Sequence, residues 1–353
     1  MKSQRGFTVW NGTKSDYFNI SNGTRQGSVL SPTLFSVYID DLLKELRRAG
    51  NGCHVGGIWV GAAGYADDLV LIAPSRSSMQ SMLNVCETYA ESHNLQYSTN
   101  PVPAMSKSKC LFMCGSLEKV YPKPLTLFGR SLPWVEHGTH LGHEFHQSCS
   151  MDMDITKKRA DFIETAVQIK ETFSFARPED ILHAVSVYAG HWYGAMLWDL
   201  YGEKCAQLYQ SWSTCVKLTF EVPRSTHTYL VENVLAKDFL TVKQQLVGRF
   251  TKFFERLRKS ISPEVQVVAN IVGRCARSIT GSNLKRIQQE TGLDPWLAPH
   301  WKIRSKIVKS PTKQEDAFRA QYLRKLLEAR FHAKEECQNT EELTSLINSL
   351  CSS

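Results

Sequence analysis

The sequence predicts an α+β protein, a mixed N-terminal part around a split βαβ (ferredoxin-like) sheet with helices on one face, then an all-helical remainder. Three observations predict it. The run "GYADDLVLIA" at 64–73 reads as strand, tight turn and strand. A helical pattern over 77–93 and a strand-like "LQYS" follow, so strand, helix and strand fall within about 30 residues, the size of a βαβ unit. After Met151 the pattern changes to long amphipathic stretches with few strand signals, punctuated by Pro178, Pro223, Pro263, Pro295 and Pro311.

The elements follow in order. Residues 7–20, "FTVWNGTKSDYFNI", read as a β-hairpin, because Asn11-Gly12 is a type I′ turn signal between apolar-rich flanks. A glycine-bearing loop, "NGTRQGSVLSP", leads to a helix with Ser31 as its expected N-cap and Pro32 at its first position. Leu34, Phe35, Tyr38, Ile39, Leu42 and Leu46 fall at helical spacing, and the helix is expected to end near Gly50. Residues 54–62 form a short hairpin in this scheme. The helix over 77–93 places Met79, Met82, Cys86, Tyr89 and Ala90 on one face, with Asn94 closing it. The apolar runs "CLFMC", "LTLFG" and "SLPWV" add β structure up to about residue 146.

Composition narrows the function classes. A length of 353 residues suggests two or three domains, and 42% hydrophobic residues are enough for a buried core. The net charge of +8 favours a polyanionic partner. The N-terminus has no apolar stretch of signal-peptide type, and no apolar run reaches the ~18 residues of a membrane helix. The ten cysteines include no Cys-x-x-Cys pair, which fits free thiols in a reduced compartment. An intracellular location, nuclear or cytoplasmic, follows as the expectation.

Asp67 and Asp68 are the candidate metal ligands. Neighbouring side chains on a regular strand point to opposite faces, but a tight turn breaks that alternation and lets both carboxylates serve one point. Carboxylates suit Mg²⁺, which keeps waters and substrate phosphates in its octahedral shell. An aspartate pair alone is equally a charged hairpin tip. "VYIDDLL" shows the alternative, since Asp40 and Asp41 lie on a helix and read as its solvated edge. "HGTHLGHEFH" places His137, His140, His143 and His146 three apart, a spacing that does not converge four ligands on zinc. Cys110 and Cys114 read as core thiols. Trp192, Trp198 and Trp212 read as core residues before base-stacking ones. The basic helices after 243 are either a solvated face or a track for a nucleic-acid backbone.

Taken in order, "NGTRQGSVLSPTLFSVYIDDLL", "GYADDLVLIAPS", "KSKCLFMCG" and "LPWVEHGTHLGH" resemble the later blocks of a reverse transcriptase of the non-LTR (LINE-type) retrotransposon family. The resemblance covers residues 5 to 150 and continues more weakly to about 235. It implies a partial polymerase palm over 1–150, a helical thumb-like region over 151–235 and a basic C-terminal helical region over 236–353. It implies that Asp67 ligands the catalytic Mg²⁺ (or Mn²⁺) with Asp68 beside it, and that Tyr65 and Ala66 hold the turn against the primer end. Arg25, Gln26 and Gly27 would lie by the incoming nucleotide and the templating base. Lys107 would face the triphosphate, with Lys109 as the alternative because "STNPVPAMSKSK" is longer than the usual spacing. The histidine block would be a β-hairpin contacting the primer. The implied partners are an RNA template, a DNA primer and deoxynucleoside triphosphates, with no membrane.

The same resemblance carries an expected deficit. A polymerase centre of this type uses a further carboxylate from an earlier block, and Asp16 is the only aspartate before Arg25, in a hairpin arm. The chain therefore reads as N-terminally truncated and inactive in isolation. The alternative function is a non-catalytic nucleic-acid-binding remnant of a retroelement.

Overall fold

The computed structural model describes residues 4–20, 27–100, 102, 105–113, 122–235, 238–307, 321 and 325. It divides into two compact units, Met1–Gly138 and Thr139–Ser353.

The first unit opens with two nested ladders. Strand β1 (Gln4–Gly6) pairs antiparallel with β4 (Phe18–Ile20), and inside them β2 (Val9–Trp10) pairs with β3 (Thr13–Lys14). Asn11 and Gly12, at φ 47° and 78°, make the turn, as the Asn-Gly dipeptide requires. Helix α1 (Ser31–Arg48) follows. Ser31 is not its cap. The Ser31 N–H donates to Ser28 O at 3.2 Å, and Leu34 N–H donates to Leu30 O at 3.0 Å, so a turn over 28–31 feeds into the helix and Leu30 occupies the cap position. Of the expected apolar face only Leu42 and Leu46 are fully buried, while Leu34 and Tyr38 remain exposed. Gly50, at φ 71°, lies just past the helix end.

Two short hairpins come next, β5 (His54–Val55) with β6 (Ile58–Trp59), and β7 (Ala62–Tyr65) with β8 (Asp68–Leu71). Helix α2 (Arg76–Ser92) is capped by Ser75, whose Oγ accepts from Ser78 N–H at 3.1 Å. Its end is a Schellman motif: Asn94 takes φ 52° and Leu95 N–H donates to Ala90 O at 2.8 Å. Met82, Cys86, Tyr89 and Ala90 are buried on the expected face, with Leu83 added. The strand expected at "LQYS" is not formed. Residues 95–100 find no ladder partner, and Leu95 and Tyr97 instead pack as side chains against the buried clusters.

Strand β9 (Cys110–Leu111) pairs in parallel with β12 (Trp134–Val135), and between them lies the hairpin β10 (Thr126–Leu127) with β11 (Arg130–Ser131). Among the described residues every sheet is two strands wide, so the split βαβ arrangement is not drawn by continuous backbone hydrogen bonds. Cys114 lies outside the described residues, and Cys110 is half-buried with its thiol pushed up to about 11 by burial.

The second unit takes up the chain in the hairpin β13 (His137–His140) with β14 (His143–His146), turned by Leu141 and Gly142 at φ 49° and 78°. Then come α3 (Asp152–Thr172), α4 (Pro178–Tyr188), a 3₁₀ turn at Ala195–Leu197 and α5 (Glu203–Thr219). A short α6 (Thr228–Leu230) runs into a π-helical turn at Val231–Leu235. Helices α7 (Val242–Arg258), α8 (Pro263–Arg274), α9 (Ile279–Thr291) and α10 (His300–Lys306) complete it. Pro178 and Pro263 begin helices, where a missing N–H is harmless. Thr241 and Gln244 form a capping box on α7.

One buried cluster runs from Met151 to Ile307. Trp192, Trp198 and Trp212 sit inside it, which assigns them to packing. Two of the indole N–H groups are satisfied, Trp192 by Gln245 Oε1 at 3.0 Å and Trp198 by Asp154 Oδ2 at 2.7 Å, while the buried Trp212 Nε1 has no partner. Among the described residues no helix is long and apolar enough to cross a membrane.

Candidate active site

The hairpin β7–β8 presents the aspartates, and its packing decides how. Leu69 and Leu71, two apart on β8, pack with Ala62 against the cluster of Leu42, Leu46, Met82, Cys86 and Tyr89. The register pairs Gly64 with Leu69 and Tyr65 with Asp68. Period-two alternation therefore turns Gly64 inward, where a Cβ would sit 3.6 Å from Leu43 Cδ1, and turns Tyr65 and Asp68 together onto the outer face. Ala66 and Asp67 form the two-residue turn. Ala66 has φ 51°, a left-handed conformation that disfavours any residue with a Cβ by roughly 1–2 kcal/mol. Tyr65 is 66% exposed, and Asp67 and Asp68 are exposed as well. Among the described residues neither carboxylate has a hydrogen bond or ion pair. The tip thus holds two open carboxylates and a strained backbone on an apolar base.

The base is fixed by close approaches of glycine. A Cβ on Gly61 would lie 2.7 Å from the Trp59 ring, and one on Gly52 would lie 2.8 Å from Gly61 Cα. Trp59 Nε1 donates to Asn51 O at 2.5 Å, Cys53 N–H to Ile72 O at 3.0 Å, and Ile72 N–H to Gly61 O at 2.7 Å. Behind this, Tyr89 Oη donates to Tyr38 O and Tyr38 Oη to His93 O, each at 2.5 Å, with the Tyr89 and His93 rings stacked at 3.8 Å. These positioning residues escape the sequence-based site. Their one visible signal is a tryptophan bracketed by Gly52, Gly56, Gly57 and Gly61.

The other expected site residues are placed unevenly. Gly27 adopts φ 81°, which only glycine takes freely, and no side chain or backbone atom stands where its Cβ would be. Arg25 and Gln26 lie outside the described residues. Lys107 and Lys109 are both exposed on the segment before β9, anchored by the buried Ser106, whose Oγ donates to Ser108 O at 2.5 Å. Among the described residues no hydrogen bond joins Gly27 or Lys107 to the hairpin tip.

Asp40 and Asp41 behave as the solvated helix edge. Both pair with Lys44, at 2.6 and 3.1 Å, and the hydrogen bonds it donates to Asp40 and then Asp41 raise its pKa. The histidine block is a hairpin, and its members separate: His137 is exposed, whereas His143 is buried and stacked on Tyr193 at 4.6 Å. Among the described residues no group of three or more His, Cys, Asp or Glu is arranged to hold a metal ion. Asp67 and Asp68 therefore stand as a pair, without a third carboxylate among the described residues.

The order of blocks around that pair has counterparts in known proteins. A family model described as "Reverse transcriptase (RNA-dependent DNA polymerase)" matches residues 3–145. Two retroelement proteins are also similar to the chain. A retrovirus-related Pol polyprotein from the type-1 retrotransposable element R2 of Nasonia vitripennis is 31% identical over 134 residues, 37% of this chain and 12% of the relative. The corresponding polyprotein from the type-2 element R2DM of Drosophila melanogaster is 41% identical over 73 residues, 21% of this chain and 7% of the relative. Over residues 3–145 the chain is similar to reverse transcriptases, among them those of R2 retrotransposable elements. The family match takes in the hairpin tip, Gly27, Lys107 and the β13–β14 turn, and it ends before the helices of the second unit. The chain spans only a small part of the length of these R2 relatives.

Proposed function

We propose that the first unit is the part of a reverse transcriptase palm that carries the metal-binding turn, acting in RNA-directed DNA synthesis on an RNA template and a DNA primer. The observation that supports this most is the hairpin tip: two adjacent, exposed carboxylates, unpaired among the described residues, beside a left-handed Ala66 and within the segment matched by the family model.

The donor set suits a hard divalent cation, Mg²⁺ or Mn²⁺, whose remaining positions go to water and substrate phosphates. Bound there, such an ion supplies charge neutralisation at the attacking hydroxyl and at the departing pyrophosphate. Asp67 holds it and Asp68 supports the site. Tyr65, sharing the outer face with Asp68, lies against the primer end, and Ala66 keeps the turn tight. Gly27, with Arg25 and Gln26, admits the nucleotide close to the backbone. Lys107 meets the triphosphate, with Lys109 as the alternative. On this view residues 1–150 are distal palm, 151–235 thumb and 236–353 a basic helical extension.

Two carboxylates leave most of the coordination to water, so the 353-residue chain by itself binds the ion weakly and extends primers poorly. Primer extension on an RNA template tests both statements. The chain alone is expected to give little product. A longer protein that supplies a further aspartate-bearing strand is expected to give product that Asp67→Asn abolishes. Robust extension by the chain alone would refute the deficit, and an inert longer protein would count against the polymerase role.

A further inference from the structure

Helix α7 has two faces of opposite character. Leu246, Val247, Phe250 and Phe254 are buried in the core of the second unit. On the other side Arg249, Lys252, Arg256 and Lys259 are all exposed. At 100° and 1.5 Å per residue these four fall within an arc of about 80° and span about 15 Å. They form a straight row of cations along nearly three turns. Among the described residues Arg249, Lys252 and Arg256 have no ion-pair partner, and Lys259 pairs only with Glu255 at 2.7 Å.

Helix α10 reinforces the row. It packs antiparallel along α7: His300 Nδ1 meets Glu255 Oε2 at 3.1 Å, and the Arg304 side chain lies 2.8 Å from where a Gly248 Cβ would be. Its exposed residues include Lys302 and Lys306, one turn apart. Glu255 is the only acidic residue in either helix, and Lys259 and His300 already hold it. No large apolar side chain of α7 is exposed, and on α10 Trp301 is exposed beside the cations, where an aromatic ring can stack on a base.

We propose that the α7–α10 surface binds the sugar-phosphate backbone of a nucleic acid, as a contact separate from the aspartate hairpin. A row of cations along a helix, three of them without an ion-pair partner among the described residues, matches a repeating row of phosphates, and displaced counterions supply the driving force. The inference rests on the second unit alone and does not require the polymerase reading to hold.

The test uses the full 353-residue chain and a fluorescently labelled RNA or DNA oligonucleotide read by anisotropy across a salt series. The variant R249E/K252E/R256E is compared with K157E/R277E/K285E, which makes the same charge change at scattered cations. The first is expected to weaken binding at least about tenfold more than the second and to flatten the log–log salt slope by about 2–3. Circular dichroism and melting check the fold. Should the glutamates disturb it, the triple alanine variant is expected to show the same loss in smaller measure. Equal losses in the two triple variants, or an unchanged salt slope, would overturn the proposal. So would binding to anionic phosphatidylserine vesicles without binding to oligonucleotides.

Discussion

Two carboxylate sites, one in each unit, are treated in opposite ways. At the β7–β8 tip Asp67 and Asp68 are exposed, with no partner among the described residues. In the second unit Asp154 is 1% exposed, accepts from Trp198 Nε1 at 2.7 Å and lies 3.8 Å from His143 Nδ1. A carboxylate answered from within holds the fold together. One left open on a strained turn is available to something that arrives later.

The contrast can be broken most sharply at Asp67. In a polymerase-competent protein, Asp67→Asn should lower primer extension by about 10²-fold or more, the size of effect expected on losing a metal ligand. Its melting should stay within about 0.5 kcal/mol of the parent, as for other surface changes. A large loss of stability would mean that the tip is structural. Asp154→Ala should do the reverse. It strands a buried indole N–H and opens a void, and should cost about 2–4 kcal/mol in urea unfolding. An unchanged midpoint would erase the distinction between the two sites.

The scaffold under the tip should respond at an intermediate level. Gly61→Ala drives a Cβ to 2.7 Å from the Trp59 ring, and overpacking of that kind costs about 1–3 kcal/mol. The melting curve reads this directly. At the tip itself Ala66→Gly should stabilise slightly, by up to about 1 kcal/mol, since φ 51° suits glycine and strains alanine. A destabilised variant would show that the turn is not strained. The smallest effect concerns the thiols. Burial pushes Cys86 and Cys205 each up to about 12, so both stay protonated and protected near neutral pH, while the exposed Cys149 and Cys275 alkylate before them. Peptide mapping after brief alkylation of the folded protein checks the order.

Local chemistry explains which features could be foreseen. Asn11-Gly12 declares its turn because both residues take positive φ, and Pro178 and Pro263 mark breaks between helices because proline cannot continue one; the structure puts both at helix starts. The helical face of α2 follows from spacing, and Asn94 closes it as such residues do. Ser31 misled because capping depends on the turn feeding the helix, which is set by the Ser28 carbonyl and not by the serine side chain. "LQYS" misled because a strand needs a partner, and alternation in one segment says nothing about whether an edge is available beside it. At the site, the aspartate pair was visible as a motif. Its support by Trp59, Gly52 and Gly61 was not, since close packing of a ring on two glycine backbones depends on contacts between residues distant along the chain. The burial of His143 beside Asp154 was hidden for the same reason.

The parallel pairing of β9 with β12 has a consequence in time. The β7–β8 hairpin closes through a two-residue turn, and hairpins of that sort form in about 1–10 μs. The β9–β12 ladder must first bring together Leu111 and Val135, and it offers only two residue pairs in return. Loop closure has to precede any reward from such a non-local contact. The aspartate turn is therefore in place early, and the segment carrying Lys107 is tethered only after the chain has reached Trp134. During synthesis the two halves of the candidate site mature in sequence, and the later one depends on chain that has yet to emerge.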